Sequence, residues 1–147
     1  MKNLLKEQLR QYIEENYPEM VHQLNPDIPF STFLSDQIDL ITPLMDELMA
    51  QGSPTDEIQN LCFKELIKDF PPSKYRYILD VIEEEFPGEY ESFSNLGILK
   101  FTVMNIMDKC EEAFEAFDFS EETLDDRFMR YQIIAEINMY FIDQQQN

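Results

Sequence analysis

The chain has 147 residues, of which 30 are acidic and 11 basic, and its formal net charge is −19. Hydrophobic residues make up 44% and aromatic residues 13% of the sequence, which excludes a disordered acidic tail. Three glycines are too few for a turn-rich sandwich or a glycine-rich phosphate loop, and the excess of carboxylates opposes direct nucleic-acid binding. The length favours one domain, so we predict a single all-helical domain over residues 1–147.

The sequence predicts a cytoplasmic protein that does not enter a membrane. No apolar run of signal-peptide type follows Met1, and no stretch approaches the roughly 18 apolar residues of a membrane span. Cys62 and Cys110 are far apart and lie among apolar residues. They form no disulfide framework, so we expect two buried, reduced thiols.

Apolar residues recur at helical spacing along the first half of the chain. The first predicted helix ends near Tyr17-Pro18. The second begins near Ser31 or Ser35, contains Pro43, where we expect a kink or a break, and ends at Gly52. A third helix is predicted to begin with Ser53 as N-cap and Pro54 at its first position, and to stop before Pro71-Pro72.

The second half continues the same pattern, and no internal repeat is visible. Ser73 is the predicted N-cap of a fourth helix that ends at Pro87-Gly88. A fifth runs from Ser94 or Leu96 to Phe117, and a sixth begins at Ser120 or Thr123. The residues expected to face the core on the sixth helix are Leu124, Phe128, Tyr131, Ile134, Ile137 and Phe141. The predicted fold is all-α, a single compact bundle of about six helices with short Pro/Gly-containing links.

The charge is unevenly distributed along the chain. Residues 11–63 and 77–126 are rich in carboxylates, whereas residues 64–76 carry a net positive charge. Their cations either pair with carboxylates on neighbouring helices or form a basic corner that binds a small anion or a phosphopeptide, because a helix start offers free amides. The candidate anion- or partner-binding residues are Ser73, Lys74, Arg76, Lys64 and Lys68.

No residue pattern indicates catalysis, a metal or a cofactor. His22 is the only histidine, which excludes a site with two histidine ligands. Cys62 and Cys110 lie on apolar stripes, where a reactive thiolate is disfavoured. We therefore expect no cofactor and no metal, and a protein that is not an enzyme.

Three short segments carry a resemblance to a known family: Leu9–Glu19 (LRQYIEENYPE), Phe70–Tyr75 (FPPSKY) and Ile78–Phe86 (ILDVIEEEF). On these motifs the chain resembles an uncharacterised family of small all-helical Bacteroidetes proteins, a domain of unknown function associated with mobile elements. The resemblance implies an α-helical fold and brings no catalytic residues.

Three functions are compatible with these observations. The leading hypothesis is a non-enzymatic acidic helical module that binds a protein partner, or a second copy of itself, through an apolar-aromatic face rimmed by carboxylates. The alternative is a nucleic-acid-mimicking decoy that occupies a basic DNA- or RNA-binding protein, suggested by the charge of −19 on a small body. The third is an enzyme that uses Glu or Asp in a cleft between helices.

Overall fold

A computed structural model of the chain describes residues 1–23 and 29–146. Within these ranges the chain forms helices and no strand, which confirms the all-α class. The described residues form eight α-helices and one short 3₁₀ helix (Glu121–Thr123), rather than about six helices. The α-helices are α1 (Lys2–Asn16), α2 (Pro18–Gln23), α3 (Phe30–Ala50), α4 (Thr55–Ile67), α5 (Lys74–Glu85), α6 (Pro87–Asn95), α7 (Leu99–Ala116) and α8 (Arg127–Gln146).

The two additional helices, α2 and α6, each begin at a proline that was expected only to end the helix before it. Pro18 follows the C-cap Tyr17 of α1, and Pro87 follows the C-cap Phe86 of α5. The two cap residues have almost the same backbone angles, φ −137° and ψ 53° for Tyr17 and φ −133° and ψ 55° for Phe86. Proline is favoured at the first position of a helix because its φ is already helical and its missing N–H has no intrahelical partner there.

Other boundaries differ by a few residues from the sequence-based expectation. The helix α3 is continuous through Pro43, so the expected break is absent. The helix α4 begins at Thr55 with Pro54 at its cap, so Ser53 is not the N-cap. Gly52 follows the end of α3 with φ +77°, and the N–H of Gly52 and of Ser53 donate to the carbonyls of Met49 and Leu48. This is the Schellman arrangement that glycine favours, and it confirms the predicted end of the helix.

The helices divide into two compact units, Met1–Phe70 and Pro71–Asn147. In the first unit α1 packs against α2, α3 and α4, and α3 packs against α4. In the second unit α5 packs against α6, α7 and α8, and α7 packs against both α6 and α8. Each buried hydrophobic cluster takes its members from one unit. The single domain over residues 1–147 stays a prediction.

The two units share one plan, which corrects the expectation that the chain contains no repeat. Each has a helix, a short helix that begins at proline, a long helix and a final helix. The buried Leu9 and Ile13 of α1 and its buried C-cap Tyr17 correspond, each 69 positions later, to Ile78, Ile82 and the half-buried Phe86. The same separation relates Leu34, Ile38, Ile41 and Met45 of α3 to Val103, Met107, Cys110 and Phe114 of α7, and all eight are buried.

The final helices correspond as well, at a separation of 71 residues that reflects the longer link before α8. Ile58, Cys62, Leu66 and Phe70 correspond in this way to Met129, Ile133, Ile137 and Phe141. The ring of Phe70 lies 5.2 Å from that of Tyr17, and the ring of Phe141 lies 5.3 Å from that of Phe86. The equivalent residues thus make the equivalent aromatic contact in each unit.

Candidate binding surface

The helix α8 has apolar residues on two opposite sides. One side is buried in the second unit through Met129, Ile133, Ile137 and Phe141. The other carries an exposed set that we call the α8 stripe, made of Phe128, Tyr131, Ala135, Met139 and Ile142. These five residues are spaced by three, four, four and three positions, so they line one side of a helix with 3.6 residues per turn.

The position of the stripe corrects the sequence-based assignment of the core. Phe128 and Tyr131 were expected to face inward, yet each is 60% exposed. Met139 is 59% exposed and Ile142 42% exposed. Because α8 has an apolar residue on either side at almost every turn, helical periodicity alone does not tell which side packs against the unit.

Polar contacts at the beginning of α8 set where the helix starts and link its inner side to α5. The Asp126 Oδ1 accepts from the backbone N–H of Phe128 at 2.9 Å and of Met129 at 3.0 Å, so Asp126 caps α8, rather than Ser120 or Thr123 as expected. The Arg130 guanidinium donates to Glu84 Oε2 at 2.8 Å and to Glu85 Oε1 at 3.2 Å, at the end of α5. These contacts hold the Arg130 side of the helix against α5, and Phe128 lies on the exposed side.

The corresponding side of α4 is polar, although α4 has the same place in the first unit. At the separation of 71 residues, four members of the stripe correspond to exposed residues of the first unit: Glu57, Asn60, Lys64 and Lys68. The shared plan therefore does not require apolar residues on this side of the final helix. At these four matched positions only α8 exposes apolar residues, which is typical of an interaction surface.

The predicted basic residues belong to both units. In the second unit the Ser73 Oγ accepts from the Arg76 N–H at 2.9 Å, which confirms Ser73 as the N-cap of α5. The Lys74 Nζ donates to Glu111 Oε1 at 3.0 Å and lies 5.5 Å from the centre of the Phe114 ring. Partial burial raises the pKa of Asp80, and Arg76, one turn earlier on α5, opposes that rise. In each case a cation of the second unit has a carboxylate close by.

The remaining two lysines lie in the first unit, at the end of α4. Lys64 is in the last turn of the helix and Lys68 is its C-cap. Lys68 donates to Glu65 one turn earlier, an exposed ion pair of the kind that contributes at most about 1 kcal/mol. The small-anion site that would combine Lys64 and Lys68 with Ser73, Lys74 and Arg76 stays a prediction.

Two concave sites accompany these residues. A groove of about 410 Å³ in the first unit has apolar walls, with Leu40, Leu44 and Phe70 among them, and Lys68, Glu65 and Asp69 at its rim. A smaller pocket of about 170 Å³ in the second unit is lined by Lys74, Phe114, Phe119, Glu115 and Asp118. Its two carboxylates oppose the binding of an anion beside Lys74.

The side chains that could act in catalysis or bind a metal are either buried or do not cluster. Burial raises the pKa of the Cys62 thiol and raises the pKa of the Cys110 thiol to about 12, so both are protonated at neutral pH. Among residues 1–23 and 29–146 no three His, Cys, Asp or Glu side chains come together as a metal site. The His22 side chain lies outside the part of the chain that the structure describes.

No helix in the described part of the chain is both long and apolar enough to cross a membrane. Polar residues flank the α8 stripe along the surface of the helix. Its neighbours Gln132 and Asn138 are exposed and uncharged, and Glu136 and Asp143 border it on one side.

Comparison with known proteins gives one match. A family model described as a domain of unknown function (DUF1896) matches residues 4–137, from α1 into α8. No curated protein and no solved structure matches the chain. The match covers both units of the chain, which therefore belongs to the DUF1896 family of domains of unknown function.

Proposed function

We propose that this chain is a non-enzymatic acidic module that binds a protein partner, or a second copy of itself, through the α8 stripe. One observation carries the proposal: α8 has a second apolar side, opposite the side that packs against its own unit, and this second side is exposed. Keeping large apolar residues in water forgoes the roughly 1.5–3 kcal/mol that burial of each would contribute. A contiguous exposed set of this kind marks an interaction surface.

The composition of the stripe suits a protein partner. Interface centres are enriched in aromatic residues and methionine and depleted in charge, and the stripe contains Phe128, Tyr131 and Met139 with no charged member. An amphipathic helix that contributes apolar residues at steps of three and four is a common recognition element between proteins. The carboxylates Glu136 and Asp143 would lie at the rim of the contact.

Comparison of the two units strengthens the proposal. The final helix of the first unit carries Glu57, Asn60, Lys64 and Lys68 where α8 carries apolar residues. If solubility alone governed this side of the helix, the same polar residues would serve in both units. The difference supports the proposal that a partner covers this side of α8.

Substitution at one matched pair of methionines tests the proposal. Met139 on the stripe and Met49 on α3 are 59% and 52% exposed, so Met139→Glu and Met49→Glu make the same chemical change at similar exposure. We expect affinity capture from lysate, quantified by mass spectrometry, to recover a protein with wild type and Met49→Glu and to lose it with Met139→Glu. The same recovery from all three baits, or recovery of nothing by a chain that is also strictly monomeric, would contradict the proposal.

A row of carboxylates on α7 favours the nucleic-acid mimic as a second candidate. Asp108, Glu112 and Glu115 are exposed and lie on one side of the helix, with axial separations of about 6 and 4.5 Å. Replacing the three by Asn, Gln and Gln removes the charges at nearly constant shape. If the captured protein is basic, and is lost with this triple variant and retained with Met139→Glu, the mimic is the better account.

A further inference from the structure

We propose that the occupant of the α8 stripe is the α8 stripe of a second copy, with the two helices antiparallel and crossing at Ala135. The inference rests on the proposed function, since it names the partner of the same surface. It follows from the order of residues along the stripe, the distribution of charge and the area exposed.

The spacing of the stripe is the same in both directions. From Phe128 the steps are three, four, four and three residues, with Ala135 at the centre. A twofold axis beside Ala135 therefore places Phe128 opposite Ile142 of the second copy, and Tyr131 opposite Met139 of the second copy. A contact about a twofold axis requires a surface that is complementary to itself, and this stripe meets that requirement.

The residue at the centre is the smallest of the five. Ala135 would meet Ala135 of the second copy at the crossing point, where the two helix axes are closest. The distance between packed helices depends on the side chains at the contact, and it is smallest when they are small. The larger residues then fill the space on either side of the crossing. The Phe128 ring packs against Ile142 of the second copy, and the Tyr131 ring packs against Met139 of the second copy.

Charge restricts where two copies can meet. Each carries −19, so contact through an acidic segment would bring carboxylates together. Residues 127–147 carry no net charge, since Arg127 and Arg130 balance Glu136 and Asp143, so contact through the α8 stripe avoids this repulsion. The repulsion of the rest of the two molecules persists at longer range. It weakens with salt, because the Debye length falls from about 10 Å at 0.1 M to about 3 Å at 1 M.

The exposed area is sufficient for a modest dimer. Phe128 and Tyr131, each 60% exposed, together present roughly 240 Å² if a complete aromatic side chain offers about 200 Å². Met139, Ile142 and the polar flanks extend the contact along a helix of about 30 Å. This corresponds to the lower end of the range for specific interfaces, about 1,200 Å² over both copies, so we expect dissociation in the micromolar range.

Sedimentation equilibrium of the full chain tests the pairing. We expect wild type and Met49→Glu to form a dimer, and Met139→Glu to raise the Kd at least tenfold, with unchanged circular dichroism. Because salt screens the repulsion between copies, the wild-type dimer should tighten several-fold between 0.1 M and 1 M NaCl. A monomer up to several hundred micromolar, or a dimer that Met139→Glu leaves intact, would overturn the inference.

A cysteine at the crossing point tests the orientation. The native Cys62 and Cys110 are buried, so an introduced surface thiol is the one that an oxidant reaches. Ala135→Cys should link two copies rapidly under mild oxidation. Phe128→Cys should not, because in the antiparallel pair two copies of residue 128 are about 21 Å apart along the axis. Rapid linking at position 128, or none at 135 in a dimer, would overturn the antiparallel arrangement.

The two proposals fail separately. If the chain is monomeric and a partner is captured through Met139, the inference of a second copy is wrong and the proposed function stands. If the dimer forms through the stripe and no other protein is captured, the second copy is the partner.

Discussion

Two glycines, one in α6 and one just after it, provide a matched test of how backbone conformation contributes to stability. Gly88 is the second residue of α6, and Gly97 follows the C-cap Leu96 with φ +73°. A Cβ added at either position would meet no atom within 4 Å. Alanine at Gly88 and at Gly97 therefore differs in backbone conformation and not in packing.

The expected effects have opposite signs. Alanine at Gly97 must adopt the left-handed conformation, which costs about 1–2 kcal/mol, and the lower entropy of its unfolded chain offsets about 0.4–1 kcal/mol of that cost. The net effect is destabilisation by roughly 0.5–1 kcal/mol. Alanine at Gly88 keeps a helical φ and gains only the entropic benefit, so it should stabilise by about 0.4–1 kcal/mol.

Urea unfolding followed by far-UV circular dichroism measures the change in the free energy of unfolding for each variant. Both substitutions lie in the second unit. For a unit of this size, 1 kcal/mol corresponds to about 4–8 °C in Tm, so thermal melts should separate the two variants clearly. Gly97→Asn is the control, because asparagine tolerates the left-handed region and should lose less than alanine. A shift of both alanine variants in the same direction would refute the reasoning.

Three further predictions concern the core of the second unit. The Tyr77 hydroxyl is buried with no hydrogen-bond partner in the described part of the protein, so Tyr77→Phe should raise the free energy of unfolding by about 1 kcal/mol; a loss of stability in urea would count against it. Phe141 is buried and its ring contacts those of Phe86 and Phe93, so Phe141→Ala should lower the free energy of unfolding by about 3–5 kcal/mol. Because Phe128 is exposed, Phe128→Ala should lower it by under about 1 kcal/mol. Similar losses for the two variants would contradict the assignment of the buried side of α8. The pKa of the Cys110 thiol rises from 9.0 to about 12 on folding, so its contribution to stability is complete below pH 9 and declines as pH rises from 9 towards 12. Cys110→Ala should flatten that decline in urea titrations at several pH values, and an unchanged slope would show that the thiol ionises alike in both states.

The helices that the sequence predicts correctly are those with one apolar side. On α3, Leu34, Ile38, Ile41 and Met45 follow steps of three and four and are all buried, because only one side of that helix is strongly apolar. Ser73 is also predicted correctly, since an N-cap needs only a short polar side chain and the free amides of the first turn. These features depend on local chemistry, which the sequence displays directly.

The features that the sequence does not reveal are those for which one sequence pattern fits two different structures. Phe128 and Met129 are adjacent apolar residues on different sides of α8, and the choice between them depends on how the whole helix packs in the second unit. Pro18 and Pro87 each interrupt one helix and begin another. The correspondence of the two units is visible at the buried positions, where Cys110 takes the place of Ile41, so similar hydrophobicity is preserved while identity is not.

The α8 stripe was not located from the sequence, and binding at the stripe or at the basic residues stays a prediction. An apolar-aromatic face was expected, but the specific residues proposed for binding were the basic ones around Ser73. The available signal was the apolar residue at almost every turn on both sides of the sixth predicted helix. A helix that is apolar on two sides must bury both or expose one, and counting the two sides separately would have identified the α8 stripe.

The separate hydrophobic clusters of the two units have a consequence for how the chain loses its structure. Since each cluster draws its residues from one side of the Phe70–Pro71 peptide, amide hydrogens of the two units can exchange with solvent through separate opening events. Native-state hydrogen exchange should then give two plateaus of protection, one per unit, and Phe141→Ala should lower the plateau of residues 71–146 while amides of residues 1–23 and 29–70 keep theirs. A protein built in this way could tolerate substitutions in one unit while the other remains folded.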